Sequence, residues 1–343
     1  MTTFWFVVLA VLWGGFLILE GFDFGVGALQ RVVGANDEEQ TEAVNTIAPV
    51  WDGNEVWLVV AGAATFAAFP VWYGTMFSGM YLAFVLLLVA LILRGVAIIF
   101  RTKHESVGWR RNWTNTLAIS SLVAPLVVGI GLANLLSGLP IDGSQEFTGT
   151  FWTLFRGYPV LTGVTLLLLT LFHGAAFLMM RTHGVIRDRS VRWARRLGPI
   201  TAVAVTAMAI WTYVLGAGGV VPAIVGVAAV LAILAAVWFA FERRDSWAFT
   251  ATTVSIALAV AALFTNLYPR VMVSSLGSQF DLTITNTSSA AYSLKIMTIV
   301  LAIFLPVVLI YQGWTYYVFR RRLIGAPVDP AASLRNAADP AAE

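Results

Sequence analysis

Nine apolar segments, each long enough to cross about 30 Å of hydrocarbon, constrain this chain more than any other feature. They run at roughly 4–30, 48–70, 76–100, 116–138, 157–180, 199–217, 220–241, 247–268 and 292–319. Between them there is too little charge to cover a water-facing surface. Charged residues make up 11% of the chain and hydrophobic ones 59%, against about 25% charged in an ordinary soluble domain. Mean hydropathy is +0.82. Lipid is therefore the solvent for most of the surface. The spans read as helices, whose backbone groups satisfy one another. A soluble enzyme, a disordered chain and a nucleic-acid-binding module are excluded, and a net charge of +3 is too small and scattered to track phosphates.

The closest pair of spans, 199–217 and 220–241, is separated by little more than Gly216, Gly218 and Gly219, with Pro222 placed for the first turn of the second helix. One long interrupted segment, giving eight spans, is the alternative. Loop charge decides against it. With nine spans, one side of the membrane carries Arg31, Arg101, Lys103, Arg110, Arg111, the six arginines from Arg181 to Arg196, Arg243, Arg244, Arg320, Arg321, Arg322 and Arg335. The other carries only Arg156 and Arg270. Such asymmetry places the C-terminus in the cytoplasm and the N-terminus outside. The first span lacks a basic leader region and a cleavage site, so it reads as retained. Residues 1–322 read as a single membrane domain: a four-helix bundle over 4–138, a second over 157–268, and a peripheral ninth helix at 292–319. Residues 323–343, rich in Ala, Pro, Asp and Asn, read as a short cytoplasmic tail. The outer loops, about 139–156 and 269–291, are too small to form a catalytic domain.

Cysteine is absent, which excludes disulfides, thiolate-held clusters and a thiol nucleophile. Three histidines are present, and only His173 falls inside a span. A single imidazole cannot supply the axial ligands of several haems, so His173 reads as a packing residue and no cofactor or metal site is assigned. Lys295, near the outer end of the last span, can snorkel to the interface.

Charges inside hydrocarbon are costly and mark function by default. Glu20 and Asp23 lie on the first span, Asp52 and Glu55 on the second, and Arg94 on the third. At about 1.5 Å per residue all five fall in the cytoplasmic third. Each acid pair is spaced i, i+3 and so shares a helix face. Carboxylates crowded in a partly dry site can exchange protons, and four of them beside one cation suit a proton uptake path. The competing reading pairs Arg94 with one acid and leaves the rest to interfacial water. Gly21-Phe22-Asp23-Phe24-Gly25-Val26-Gly27 contains a GxG but follows no strand, so it is not a phosphate loop. Gly21 and Gly25 instead form a small-xxx-small face for close helix approach. Asp52-Gly53-Asn54-Glu55 lacks the remaining ligands of a calcium loop.

The run Glu20-Gly21-Phe22-Asp23-Phe24-Gly25-Val26-Gly27, followed by Asn45-Thr46-Ile47-Ala48-Pro49-Val50-Trp51-Asp52-Gly53-Asn54-Glu55-Val56-Trp57-Leu58, closely resembles subunit II of bacterial cytochrome bd-type quinol oxidases. Phe77-Ser78-Gly79-Met80-Tyr81, Ala133-Asn134-Leu135-Leu136-Ser137-Gly138 and Trp247-Ala248-Phe249 extend the resemblance over nearly the whole chain. It implies a heterodimer in the bacterial cytoplasmic membrane with a nine-helix subunit I. That partner would carry low-spin haem b, high-spin haem b, haem d and the quinol-oxidising loop. This chain would bind no haem. The complex would oxidise quinol (menaquinol or ubiquinol) and reduce oxygen to water without pumping. Small accessory subunits and membrane lipids are further partners of such complexes. The resemblance puts the family's proton-path acids on Asp52 and Asp23, with Glu20 at an acidic position. Glu55 departs from relatives that carry an amide there. A proton-coupled secondary transporter is the alternative from a different class. It would place its polar site near the midplane, whereas these acids lie toward one side.

Overall fold

The computed structural model describes residues 1–216 and 218–319. The tail at 323–343, together with Arg320, Arg321 and Arg322, lies outside the described residues. Among those residues there are eleven α-helices: α1 (Thr2–Val33), α2 (Asp37–Asn45), α3 (Trp51–Ala68), α4 (Pro70–Gly79), α5 (Tyr81–Phe100), α6 (Val107–Ser137), α7 (Gly157–Arg181), α8 (Gly184–Leu215), α9 (Val220–Phe241), α10 (Asp245–Leu267) and α11 (Ala291–Val318). Eight of them, α1 and α5 to α11, are long and apolar enough to cross a membrane. The second apolar segment forms α3, whose first turns carry Asp52, Asn54 and Glu55, and it is not among the eight.

Several boundaries differ from the sequence reading. The second and third spans are separated by an extra helix, α4, because Pro70 cannot continue the ladder of α3 and restricts Phe69 before it to φ −136°, ψ 68°. The helix of the third expected span, α5, then begins at Tyr81 rather than 76. The six-arginine stretch at 181–196 is not a loop. It forms the end of α7 and the first turns of α8, which starts at Gly184, well before 199. The hairpin at 216–220 is two helices, with Gly218 and Gly219 at φ +70° and +110°, the left-handed region that glycine enters without steric cost.

α1 runs through the middle of the fold, against α3, α6, α7 and α10. One buried apolar cluster extends from Trp5 to Leu294, so the two halves of the chain share a core. The tightest crossing is between α1 and α7. A Cβ on Gly25 would lie 2.1 Å from the Thr170 carbonyl oxygen and 2.7 Å from Gly174 Cα, so the backbones touch. This is the close approach expected of Gly25; at Gly21 a Cβ would meet only ordinary contacts, 3.5 Å or more away. α11 is the least buried helix, with Leu294 its one buried residue. Trp5 Nε1 donates to Leu294 O at 3.3 Å and to Thr298 Oγ1 at 3.1 Å, which ties it to α1.

The two ends are closed differently. At the arginine-rich end the short polar helix α2 is capped by Asn36, which accepts from Glu39 N at 2.8 Å, and has Asp37, Glu38 and Glu39 in its first turn, where the helix dipole favours anions. Asp37 pairs with Arg101 and Arg110, and Glu39 with Arg189. The Glu39 carboxyl is held below the usual glutamate range, first by the Ala35 N–H it accepts and also by Arg189. Arg187 forks onto Asp245 at 2.8 and 3.0 Å, joining α8 to α10. At the other end the two loops interlock. Leu139 N donates to Val273 O (2.9 Å), Ser275 N to Leu139 O (2.8 Å), and β1 (Arg270–Met272) pairs antiparallel with β2 (Leu282–Thr283).

The crossing gives a direct test. Gly25→Ala should destabilise the assembled protein by about 1–3 kcal/mol or more, because backbone cannot move aside as a side chain can. Gly226→Ala on α9, where an added Cβ meets nothing within 4 Å, should be neutral or slightly stabilising. Thermal unfolding midpoints of the two purified variants check the contrast.

Candidate functional site

α1, α3 and α5 bring four of the five expected charged residues together in the interior. Glu20, Asp23 and Arg94 are fully buried. Arg94 Nη1 holds Glu20 Oε1 in a direct ion pair and lies 4.0 Å from Glu55 Oε2. The Arg94 guanidinium also sits over the Phe24 ring, 4.9 Å from its centroid. These contacts leave hydrogen-bonding capacity unspent. Glu20 Oε2, Asp23 Oδ1, and Arg94 Nε and Nη2 are buried without a partner.

Asp52 does not join them. It is exposed, while Glu55 is half-buried and Asn54 fully buried. The reason is helix phase. The buried residues of α3 are Asn54, Ala61, Thr65 and Ala68, a single strip. Asp52 is two residues from Asn54, about 200° around the axis, and so points away. Glu55, about 100° from that strip, lies on its flank. The i, i+3 relation of Asp52 and Glu55 holds, but the inward face of the helix is centred on neither.

Asn54 is the residue that sequence reasoning missed as a site. Its Nδ2 donates to Asp23 Oδ2 at 2.7 Å and to Leu19 O at 3.3 Å. Its Oδ1 accepts from Gln312 Nε2 at 3.1 Å and from the Tyr316 hydroxyl at 2.8 Å. Trp57 Nε1 donates to Gln312 Oε1 at 3.0 Å. The otherwise exposed α11 therefore reaches the acid cluster through two side chains. The signal was present: Gln312 and Tyr316 are polar groups at i, i+4 within an apolar span, which share a helix face.

His173 is fully buried on α7 beside this cluster. Its Nε2 donates to Ile18 O at 3.1 Å, and its Nδ1 is hydrogen-bonded with the Thr252 hydroxyl at 2.7 Å. The ring stacks on Phe249 with centroids 4.6 Å apart. With both nitrogens engaged, the imidazole does not fit an axial haem ligand. Among the described residues no group of three or more His, Asp or Glu side chains could hold a metal ion.

The family described as cytochrome bd terminal oxidase subunit II matches residues 1–319. This chain belongs to that family. It is 42% identical over 323 residues to "Cytochrome bd ubiquinol oxidase subunit 2" of Bacillus subtilis (strain 168), covering 93% of this chain and 96% of the relative. It is 32% identical over 351 residues to "Cytochrome bd-I ubiquinol oxidase subunit 2" of Escherichia coli (strain K12), covering 91% and 92%. A chain in the structure of the bd oxidase from Geobacillus thermodenitrificans superposes with a TM-score of 0.72 at 20% identity, over 92% of this chain and 96% of that one, a likeness of fold. Family and apolar helices together make this subunit II homologue a multi-pass protein of the cytoplasmic membrane.

The buried pair predicts an asymmetry. Arg94→Met alone leaves Glu20 buried without its counter-charge and should cost about 3–5 kcal/mol. Glu20→Leu combined with Arg94→Met should restore much of that loss. Unfolding midpoints and yields of the single and double variants measure it; equal losses would show that the pair contributes no more than packing.

Proposed function

We propose that this chain is the haem-free subunit II of a cytochrome bd-type quinol oxidase, joined to a haem-bearing subunit I, and that it carries protons from the cytoplasm toward the partner's oxygen-reducing site. Membership of the subunit II family supports the first part, and the names of the relatives in Bacillus and Escherichia are those of quinol oxidase subunits. Haems of the complex belong to subunit I in this reading. His173, the one histidine inside a membrane helix, has both ring nitrogens in use. Two quinols supply four electrons per oxygen molecule, and four protons are consumed to form two waters. Taking those protons from the cytoplasm, while quinol releases its own outside, charges the membrane without a pump.

The observation that carries the proton path is a gradation of burial at one level of the fold. Asp52 is exposed, the Glu55 side chain is 25% exposed, and Glu20 and Asp23 are fully buried. The arginine-rich end, cytoplasmic by loop charge, is the near end for all four. Asp52 would collect a proton at the surface, Glu55 would take it inward beside Arg94, and Glu20 and Asp23 would hold it in the interior. Arg94 offsets part of the carboxylate charge, and Asn54 keeps Asp23 in place. The unpartnered oxygens Glu20 Oε2 and Asp23 Oδ1 are the atoms at which a proton can be held. A transporter would need a counterpart cluster leading to the other side, and the charged groups gathered here belong to one end.

Asp23→Asn keeps an oxygen for the Asn54 amide and removes only the titrating group. In the purified two-subunit complex it should leave haem bands unchanged and slow oxygen consumption about tenfold or more, a barrier increase of roughly 1.4 kcal/mol. Asp52→Asn should do the same. Normal turnover with normal proton uptake in either variant would take that residue off the path.

A further inference from the structure

Arg181, the last residue of α7, lines a cavity that the proton path does not use. The cavity measures about 180 Å³, several times the roughly 30 Å³ share of one liquid water. Its walls include Pro49 and Val50 before α3, Phe177 of α7, Phe249 of α10, and Tyr316 of α11. Three arginines are buried among the described residues: Arg94, Arg101 and Arg181. The first holds Glu20 and the second Asp37. Arg181, 9% exposed, holds no carboxylate among the described residues, and its Nε is buried without a partner among them. The Phe177 ring, 5.8 Å from its Cζ, supplies one face and no counter-charge. Other polar groups of the wall are committed elsewhere. Thr46 Oγ1 donates to Ala43 O at 2.7 Å, and the Tyr316 hydroxyl donates to Asn54.

A buried cation needs a paired anion or a hydrogen-bonded environment, and the cavity beside this one is aromatic and aliphatic. We propose that the Arg181 cavity is a binding site for a phosphate-bearing anion, supplied by the headgroup of a membrane phospholipid. The guanidinium fork matches two phosphate oxygens at once. The cavity lies at the arginine-rich end, between Pro49 before α3 and Arg181 at the end of α7, where basic pockets between membrane helices meet anionic headgroups. Phe177, Phe249 and Val50 give the glycerol and first acyl carbons an apolar wall. Because Tyr316 both lines the cavity and holds Asn54, a bound headgroup would also brace the residue that positions Asp23.

The test uses the purified two-subunit complex, wild type and with Arg181→Gln or Arg181→Lys. Native mass spectrometry after identical detergent washing counts retained phospholipids. Dioleoylphosphatidylglycerol, phosphate-free dioleoylglycerol and inorganic phosphate are then added separately to delipidated samples, with the unfolding midpoint as readout. The expected result is one more retained phospholipid in wild type than in Arg181→Gln. Phosphatidylglycerol should raise the wild-type midpoint, dioleoylglycerol should not, and Arg181→Lys should lie between wild type and Arg181→Gln. A rise with inorganic phosphate alone, at equal lipid counts, would support the phosphate site and overturn its lipid source. Equal counts and no phosphate effect in any sample would overturn the proposal. So would an anion effect that appears only after residues 320–343 are removed, since a tail carboxylate would then be the native occupant.

Discussion

A guanidinium inside hydrocarbon must find its counter-charge within the protein, and the arrangement around Arg94 follows from that requirement. α1 supplies Glu20 and the ring of Phe24, α3 supplies Glu55, and α5 carries the cation itself. Three helices that share no loop with one another except through α2 and α4 are brought to one point by a charge that lipid cannot solvate. The remaining acid, Asp23, is held through Asn54, and Asn54 in turn is held by α11. A helix that is otherwise almost wholly exposed thereby acquires a fixed rotation and height against the rest.

The geometry of α1 makes this assembly possible. Its contact with α7 at Gly25 and Gly174 is backbone on backbone, so the middle of α1 stands close to the second half of the chain while its other face presents Glu20 and Asp23 to α3 and α5. Packing and electrostatics therefore use opposite sides of the same two turns. In lipid there is no hydrophobic force between apolar helices, and close contact at small residues provides the attraction instead. At the arginine-rich end, ion pairs from α2 to Arg101, Arg110 and Arg189 cross between elements. The partly exposed pairs of Arg110 and Arg189 are each worth only about 0–1 kcal/mol. Their effect is to fix how the helices are set relative to one another more than to stabilise them.

Much of the fold was legible in the residues. The apolar segments located the long helices, the triglycine region separated α8 from α9, and the Gly25 spacing marked a close crossing. What was not legible was local. Pro70 breaks the second segment from α4, and the arginine-rich run is helical apart from the break at Thr182 and His183, arginine being a good helix former. In the site, Glu20, Asp23, Glu55 and Arg94 came together as their positions along the helices suggested. Asp52 lies outside the buried cluster and Asn54 inside it, although the two are neighbours but one in the chain.

That contrast separates what each level of structure decides. Residue order sets the solvent, the helical class, the family and the height of each polar group, because height along a helix is a count of residues at a constant rise. The rotation of each helix, and hence which of Asp52, Asn54 and Glu55 faces inward, comes from packing against its neighbours. In water the buried face of a helix announces itself by its apolar stripe. In lipid the faces toward protein and toward hydrocarbon are both apolar, so the pattern carries no such mark, and only the neighbouring helices, with Arg94, Gln312 and Tyr316 in place, select one rotation.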